Sequence, residues 1–194
     1  MLGEKYSNTL DRTRDFIEDL NETFESIASL PIPTIAAING HALGGGLELA
    51  LNATFRVAHE KAKLGLPETR LGIIPGAGGT YNLPRVIGEQ KAMHMILTGR
   101  IISGQEVLRI GLCDELATST DSGDSRIETV ETALALANKI CEGGPVAIQQ
   151  ALEAVRCQNA MAEVQAYEVV LNTQDRLAAL KAFAEKEPVV FSGQ

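Results

Sequence analysis

Two glutamates in this sequence stand where a carboxylate is hard to place. Glu48 lies in Leu47-Glu-Leu-Ala-Leu51, whose other members are all apolar. A helix made of that run sets the carboxylate among core-facing neighbours, where a charge is costly unless something uses it. Glu68 closes Leu64-Gly-Leu-Pro-Glu68, twenty positions further along. Two carboxylates facing one closed cavity raise the proton affinity of one of them, which supplies an acid and a base near neutral pH. Such a pair handles water: one takes its proton while the other delivers a proton to the far side of the reacting bond. Gly44-Gly45-Gly46 directly precedes this helix, although each glycine costs a helix about 0.5–1 kcal/mol against alanine. The run suits a close approach. With no side chain in the way, the N–H of Gly45 can meet an oxygen on which negative charge develops. Pro75-Gly-Ala-Gly-Gly-Thr80 makes a second bare turn, whose Gly76 N–H is able to orient the water. The same residues also fit a plainer reading, a solvated glutamate and a glycine run that lets a helix pack tightly on a strand.

The elements that must position these residues follow from apolar periodicity. Leu10, Phe16, Ile17, Leu20, Phe24, Ile27 and Leu30 recur with a helical period and predict an amphipathic helix with one buried face, ended by Pro31 and Pro33. Residues 34–39 (TIAAIN) are almost wholly apolar, as in a strand covered on both faces. With a short helix over LELALNA and a returning strand over 55–59 they make a βαβ unit, whose crossover is right-handed by rule. That crossover brings Glu68 back to the end of the sheet where Glu48 sits, the usual ligand site of open α/β folds. Residues 60–90 read as loop-rich, with Gly65, Pro67, Gly72, Pro75, Gly76, Gly78 and Gly79. Glu89–Gly99 predicts a helix stopped by its glycine, and Ser103-Gly-Gln-Glu106 a capping box ahead of a helix closing at Gly111. TSTDSGDSR (118–126) reads as a linker. Beyond it the Ala/Leu/Glu/Gln content predicts helices over 127–142, 145–157, 160–172 and 174–186. Two regions result, an α/β core over 1–117 and a helical region over 127–194.

Other chemistries are excluded by spacing. Residues 76–81 (GAGGTY) place Tyr81 where a dinucleotide-binding GxGxxG needs its last glycine, and after Gly40 to Gly45 a phosphate loop would need Lys and Ser/Thr where Gly46 and Leu47 stand. His41, His59 and His94 lack the mutual spacing of metal ligands and read as structural or surface residues, so no metal is expected. Cys113, Cys141 and Cys157 are too scattered for a disulfide framework and suggest a reducing compartment. Lys plus Arg is 17 against 25 Asp plus Glu, a net charge of −8 over 194 residues. That gives no general attraction for nucleic acid or anionic membranes. Apolar stretches are interrupted by Pro, Gly or Glu, which predicts no membrane span. The acidic residues near the N-terminus fit neither a signal peptide nor a transit peptide. The sequons at Asn21 and Asn52 carry no weight without a secretory signal.

IAAINGHALGGGLELAL (35–51) followed by KLGLPETRLGIIPGAGGTYNLPRVIG (63–88) resembles the signature of the enoyl-CoA hydratase/isomerase (crotonase) superfamily. LPIPTIAAI before it and DRLAALKAFAEKEP after it resemble the branch that holds the methylglutaconyl-CoA hydratases. The resemblance implies a crotonase-type ββα spiral core lacking its first strands, with a helical C-terminal oligomerisation region. It implies Glu48 and Glu68 as the catalytic glutamates, the Gly45 N–H beside Gly44 as an oxyanion donor to a thioester, and Gly76 as a holder of water. A pair of glutamates favours a hydratase. The alternatives are an isomerase that migrates the double bond, or an inactive subunit that joins oligomers of a longer relative. CoA is then part of the substrate and no separate cofactor is called for. Homotrimers or hexamers are implied, as is a mitochondrial location in fatty acid or branched-chain amino acid breakdown; with no presequence visible, the cytoplasm is the other option. The resemblance also implies a start just after the loop that supplies the second oxyanion donor, with an exposed strand edge as a result. Asn52-Ala-Thr54 departs from the Ala-Cys-Asp usual there, which implies changed local hydrogen bonding rather than changed chemistry.

Overall fold

A computed structural model describes residues 2–120 and 123–194, with side chains from residue 11 onward. The chain forms two compact units, residues 1–30 with 34–133, and residues 31–33 with 134–194.

The first unit opens on helix α1 (Leu2–Ala28), which starts well before the expected Leu10. Of its predicted stripe only Phe24 is buried; Phe16 and Ile17 remain exposed, and the Leu10 side chain lies outside the described residues. Strand β1 (Ile35–Ile38) and β3 (Phe55–His59) pair in parallel, Ile35 with Phe55 through Ile38 with Ala58, as the βαβ reading requires. On the far side of β3 lies β6 (Glu115–Ala117), also parallel. Among the described residues β1 is an edge of this sheet, and a groove of about 630 Å³ runs beside it, lined by Ile27, Ala36, Ile38, His41 and Leu49 among others.

A second small sheet positions the glutamates. Its strands are β2 (Ala42–Leu43), β4 (Lys63–Gly65) and β5 (Ile101–Ser103), with β4 in the middle, parallel to β2 and antiparallel to β5. Helix α2 (Gly45–Leu51) follows β2, so the glycine run belongs to the helix entry itself. The segment 60–90, expected to be loop-rich, also holds β4, a 3₁₀ turn (Glu68–Leu71) and α3 (Gly79–Ile87). Pro84 and Gly79 are poor helix formers, yet α3 forms around them because Leu83 and Ile87 are buried in the core. Helix α4 (Glu89–Thr98) ends at Gly99 in the left-handed conformation, as its sequence predicts.

The capping box before α5 (Gln105–Arg109) does not form. Ser103 belongs to β5, Gly104 takes the cap position, and Glu106 receives two 2.9 Å hydrogen bonds from Arg100 instead. Of the expected linker, residues 121–122 lie outside the described residues, and α6 (Ser125–Ile140) has already begun at Ser125. His59 on β3 is buried. Its Nδ1 accepts from the Lys61 N–H, so its Nε2 carries the proton and donates to Glu128 of α6 at 3.0 Å. The sequence reads this histidine as structural or surface; buried, it ties a strand end to a helix.

The second unit is helical: α7 (Pro145–Cys157), α8 (Ala160–Leu171) and α9 (Gln174–Glu185), each within about a residue of its predicted bounds. Asn159 and Thr173 cap α8 and α9 through their side chains. Asp175 holds the chain end, accepting from the N–H groups of Ser192 and Gly193 and from the Ser192 hydroxyl.

Candidate active site

Gly44 is where the second sheet becomes a site. Its N–H donates to Gly65 O at 3.0 Å, which continues the β2–β4 pairing one residue past the strand. The backbone then turns with φ 56° and ψ −128°, a conformation open to glycine, and α2 begins. Gly44 O accepts the N–H groups of Leu47 and Glu48, which closes the first turn and sets Glu48 on the core side beside fully buried Leu47.

Only 3% of Glu48 is exposed. Its Oε1 accepts two backbone hydrogen bonds, from Ala77 N–H at 2.8 Å and Gly79 N–H at 2.9 Å. The turn between Pro75 and α3 therefore aims this carboxylate. A methyl group on Gly79 would lie 2.8 Å from Leu66 Cδ1 and Pro75 Cβ and 2.9 Å from Glu48 Oε1. Bareness there is a packing requirement.

Glu68 arrives from the other direction, through β4 and Pro67, at the start of the 3₁₀ turn. The turn is clamped to the end of α4: Thr69 Oγ1 donates to Ile96 O at 2.9 Å, and Arg70 donates through Nε and Nη2 to Thr98 O. A Cβ on Gly44 would sit 2.9 Å from Glu68 Oε1, so the carboxylate occupies space that glycine leaves free. Glu68 is 8% exposed, and its buried Oε2 has no hydrogen-bond partner. Burial pushes the Glu68 carboxyl above its ordinary range; its own backbone N–H offsets part of that rise, and the Glu48 carboxylate adds a smaller one.

The structure thus brings Glu48, Glu68 and Gly44 together. Gly45, next along, has nothing within 4 Å of where a Cβ would stand, and as the first residue of α2 its N–H has no acceptor within the helix. Gly76 contributes a carbonyl, which accepts from Asn21 Nδ2 at 3.0 Å. Sequence reasoning missed Ala77, Gly79 and Asn21. The first two act through backbone N–H groups, for which the glycine-rich turn was the only signal. At the unusual Asn52-Ala-Thr54, Asn52 Nδ2 donates to Glu48 O, and Thr54 exchanges backbone-to-hydroxyl hydrogen bonds with Thr34. Among the described residues no group of three or more His, Cys, Asp and Glu is placed to hold a metal, and no helix is long and apolar enough to cross a membrane.

The arrangement can do acid–base chemistry on water: one carboxylate held by two donors, and a second whose proton affinity is raised and whose oxygen lacks a partner. Known proteins resemble this chain along its whole length. A family model described as enoyl-CoA hydratase/isomerase matches residues 2–194. The whole chain aligns at 47% identity with 60% of a mitochondrial methylglutaconyl-CoA hydratase 1 of Pyricularia oryzae. It aligns at 50% identity with 65% of an enoyl-CoA isomerase/hydratase of Zymoseptoria tritici. A crystal structure of an enoyl-CoA hydratase from Bacillus anthracis superposes with a TM-score of 0.86 at 43% identity, over 95% of this chain and 71% of that one. The chain thus spans about three fifths to two thirds of the two fungal relatives.

Proposed function

The chain belongs to the enoyl-CoA hydratase/isomerase family, and from that premise we propose that it adds water reversibly across the α,β double bond of an acyl-CoA thioester. One observation carries the reading: Glu68 Oε2 is buried and without a partner, on a carboxyl whose proton affinity is raised by burial and by Glu48. A group so placed gains a partner when water or substrate enters, and it keeps a proton to give.

Glu48, aimed by Ala77 and Gly79, takes a proton from the water as its oxygen bonds to the β-carbon. Charge moves onto the thioester oxygen beside the Gly45 N–H, and Glu68 gives its proton to the α-carbon. The water is then divided between the two carbons. Glu48 holds one proton more and Glu68 one fewer, and transfer between them restores the pair. CoA travels as part of the substrate. The name of the Pyricularia relative supports a short, branched unsaturated acyl group and a mitochondrial location. Exposed Val155, Met161, Val164, Tyr167, Leu177 and Phe183 on the helices of the second unit support assembly into trimers or hexamers.

Loss of enoyl-thioester absorbance with crotonyl-CoA and 3-methylglutaconyl-CoA tests the proposal. Hydration that vanishes in Glu68→Gln supports it. Double-bond migration without net hydration makes the chain an isomerase, and no turnover by the folded chain overturns the proposal for these 194 residues.

A further inference from the structure

Glu48 is aimed by a peptide unit that is itself held from the other side. The Gly76 carbonyl and the Ala77 N–H belong to one planar, trans amide and point in opposite directions. The N–H donates to Glu48 Oε1 at 2.8 Å, and the carbonyl accepts from Asn21 Nδ2 at 3.0 Å. Asn21 lies on α1, 55 positions away in the chain. The same Nδ2 also donates to Ile17 O at 2.8 Å, so both amide protons are engaged and the side chain is locked against its own helix. Ile17 adds contact: three of its carbons lie 3.7–3.9 Å from where a Gly76 Cβ would stand.

We propose that Asn21 is a positioning residue for Glu48, acting through the Gly76–Ala77 peptide; the proposal rests on the hydratase reading for its effect on turnover. A carbonyl that accepts a hydrogen bond makes the N–H of its own amide a better donor, and a carbonyl that cannot rotate fixes where that N–H points. Without Asn21 the peptide is free to tilt, and the Gly79 N–H is left to hold Glu48 Oε1. The role is separate from helix stability, because α1 makes its own backbone hydrogen bonds whether or not Asn21 is present.

Asn21→Asp keeps the size and shape but turns the donor into an acceptor facing two carbonyls. Asn21→Ala serves if that variant does not fold. Thr23→Val on the same helix is the control, since the Thr23 hydroxyl bonds only to Asp19 O. Amide hydrogen exchange at Ala77 should accelerate about 3- to 10-fold in the Asn21 variants and stay constant in Thr23→Val. For crotonyl-CoA hydration kcat should fall by a similar factor at constant KM. Unchanged Ala77 exchange in a folded Asn21 variant overturns the proposal, as does an equal loss of kcat in Thr23→Val. If the unsubstituted chain hydrates nothing, the hydratase reading fails while the exchange measurement still decides whether Asn21 holds the peptide.

Discussion

Replacing Glu68 by glutamine should make the protein more stable and less active at once. The carboxyl is 8% exposed and its Oε2 has no partner; a buried polar atom left unsatisfied costs about 1–3 kcal/mol, more when charged. Burial and Glu48 raise its proton affinity above the ordinary value of 4.5, so the folded state binds this proton more tightly than the unfolded chain does. Below 4.5 both states hold the proton and stability is flat in this respect. As pH rises from 4.5 to the raised folded value, the folded protein alone retains the proton and stability falls. Above that value the loss is complete and constant. Glutamine carries no charge to desolvate but remains a buried amide, so only part of the cost returns, about 1 kcal/mol near pH 7.5. For a chain of this length that is roughly 2–4 °C in Tm.

Urea unfolding of both proteins at several pH values between 4 and 8 measures the effect, alongside crotonyl-CoA hydration. The expected result is equal stability at the acid end, a gap that opens in favour of Glu68→Gln as pH rises, and a kcat reduced by about 10²–10⁴-fold. A constant stability difference across the whole range would refute the perturbed carboxyl. A variant less stable throughout would show that Oε2 has a partner glutamine cannot replace.

Gly79→Ala forces a methyl group to within 2.9 Å of Leu66, Pro75 and Glu48 Oε1. It should destabilise by about 1–3 kcal/mol in urea unfolding and remove most activity. His59→Leu deprives buried Glu128 of its imidazole donor and should cost about 2–3 kcal/mol by the same measurement; a neutral effect would mean that the donors left to Glu128, the Thr120 hydroxyl among them, satisfy the carboxylate. The hydrogen bonds from Ser192 and Gly193 hold the Asp175 carboxyl below its ordinary range. Their contribution is present above the ordinary aspartate value and is lost as pH falls through the lower folded one. Carboxypeptidase should therefore trim the chain end faster in Asp175→Ala than in the unsubstituted protein at neutral pH, and the difference should close in acid.

What could be read in advance depended on how each residue acts. Strand 55–59 matches β3 residue for residue because the βαβ reading needs a strand returning beside β1 directly after α2, and Phe55, Val57 and Ala58 supply its apolar side chains. Glu48 was legible as the lone charge in an apolar run, and Gly99 because a helix that ends left-handed wants glycine there. The hidden α3 shows the opposite case: Gly79 and Pro84 are poor helix formers, and Leu83 and Ile87 outweigh them only once the core exists. Ala77 and Asn21 were invisible for a different reason. Ala77 offers the site a backbone group that every non-proline residue carries, and Asn21 meets Gly76 only through the folded chain. The capping box failed because Ser103 was already committed to a strand.

The edge strand β1 bears on how this protein behaves at high concentration. Its residues, Ile35-Ala-Ala-Ile38, include no charge, no proline and no bulge, the usual guards on an open edge. Like charges at −8 keep molecules apart at low ionic strength, but salt screens that repulsion within about 8–10 Å and leaves the β1 edge of the described sheet without it. Solubility should therefore fall as salt is added, while the unfolding midpoint stays put. Ala37 is exposed on that strand, so Ala37→Lys installs the missing guard far along the chain from Glu68 and should restore solubility in salt with the unfolding midpoint unchanged.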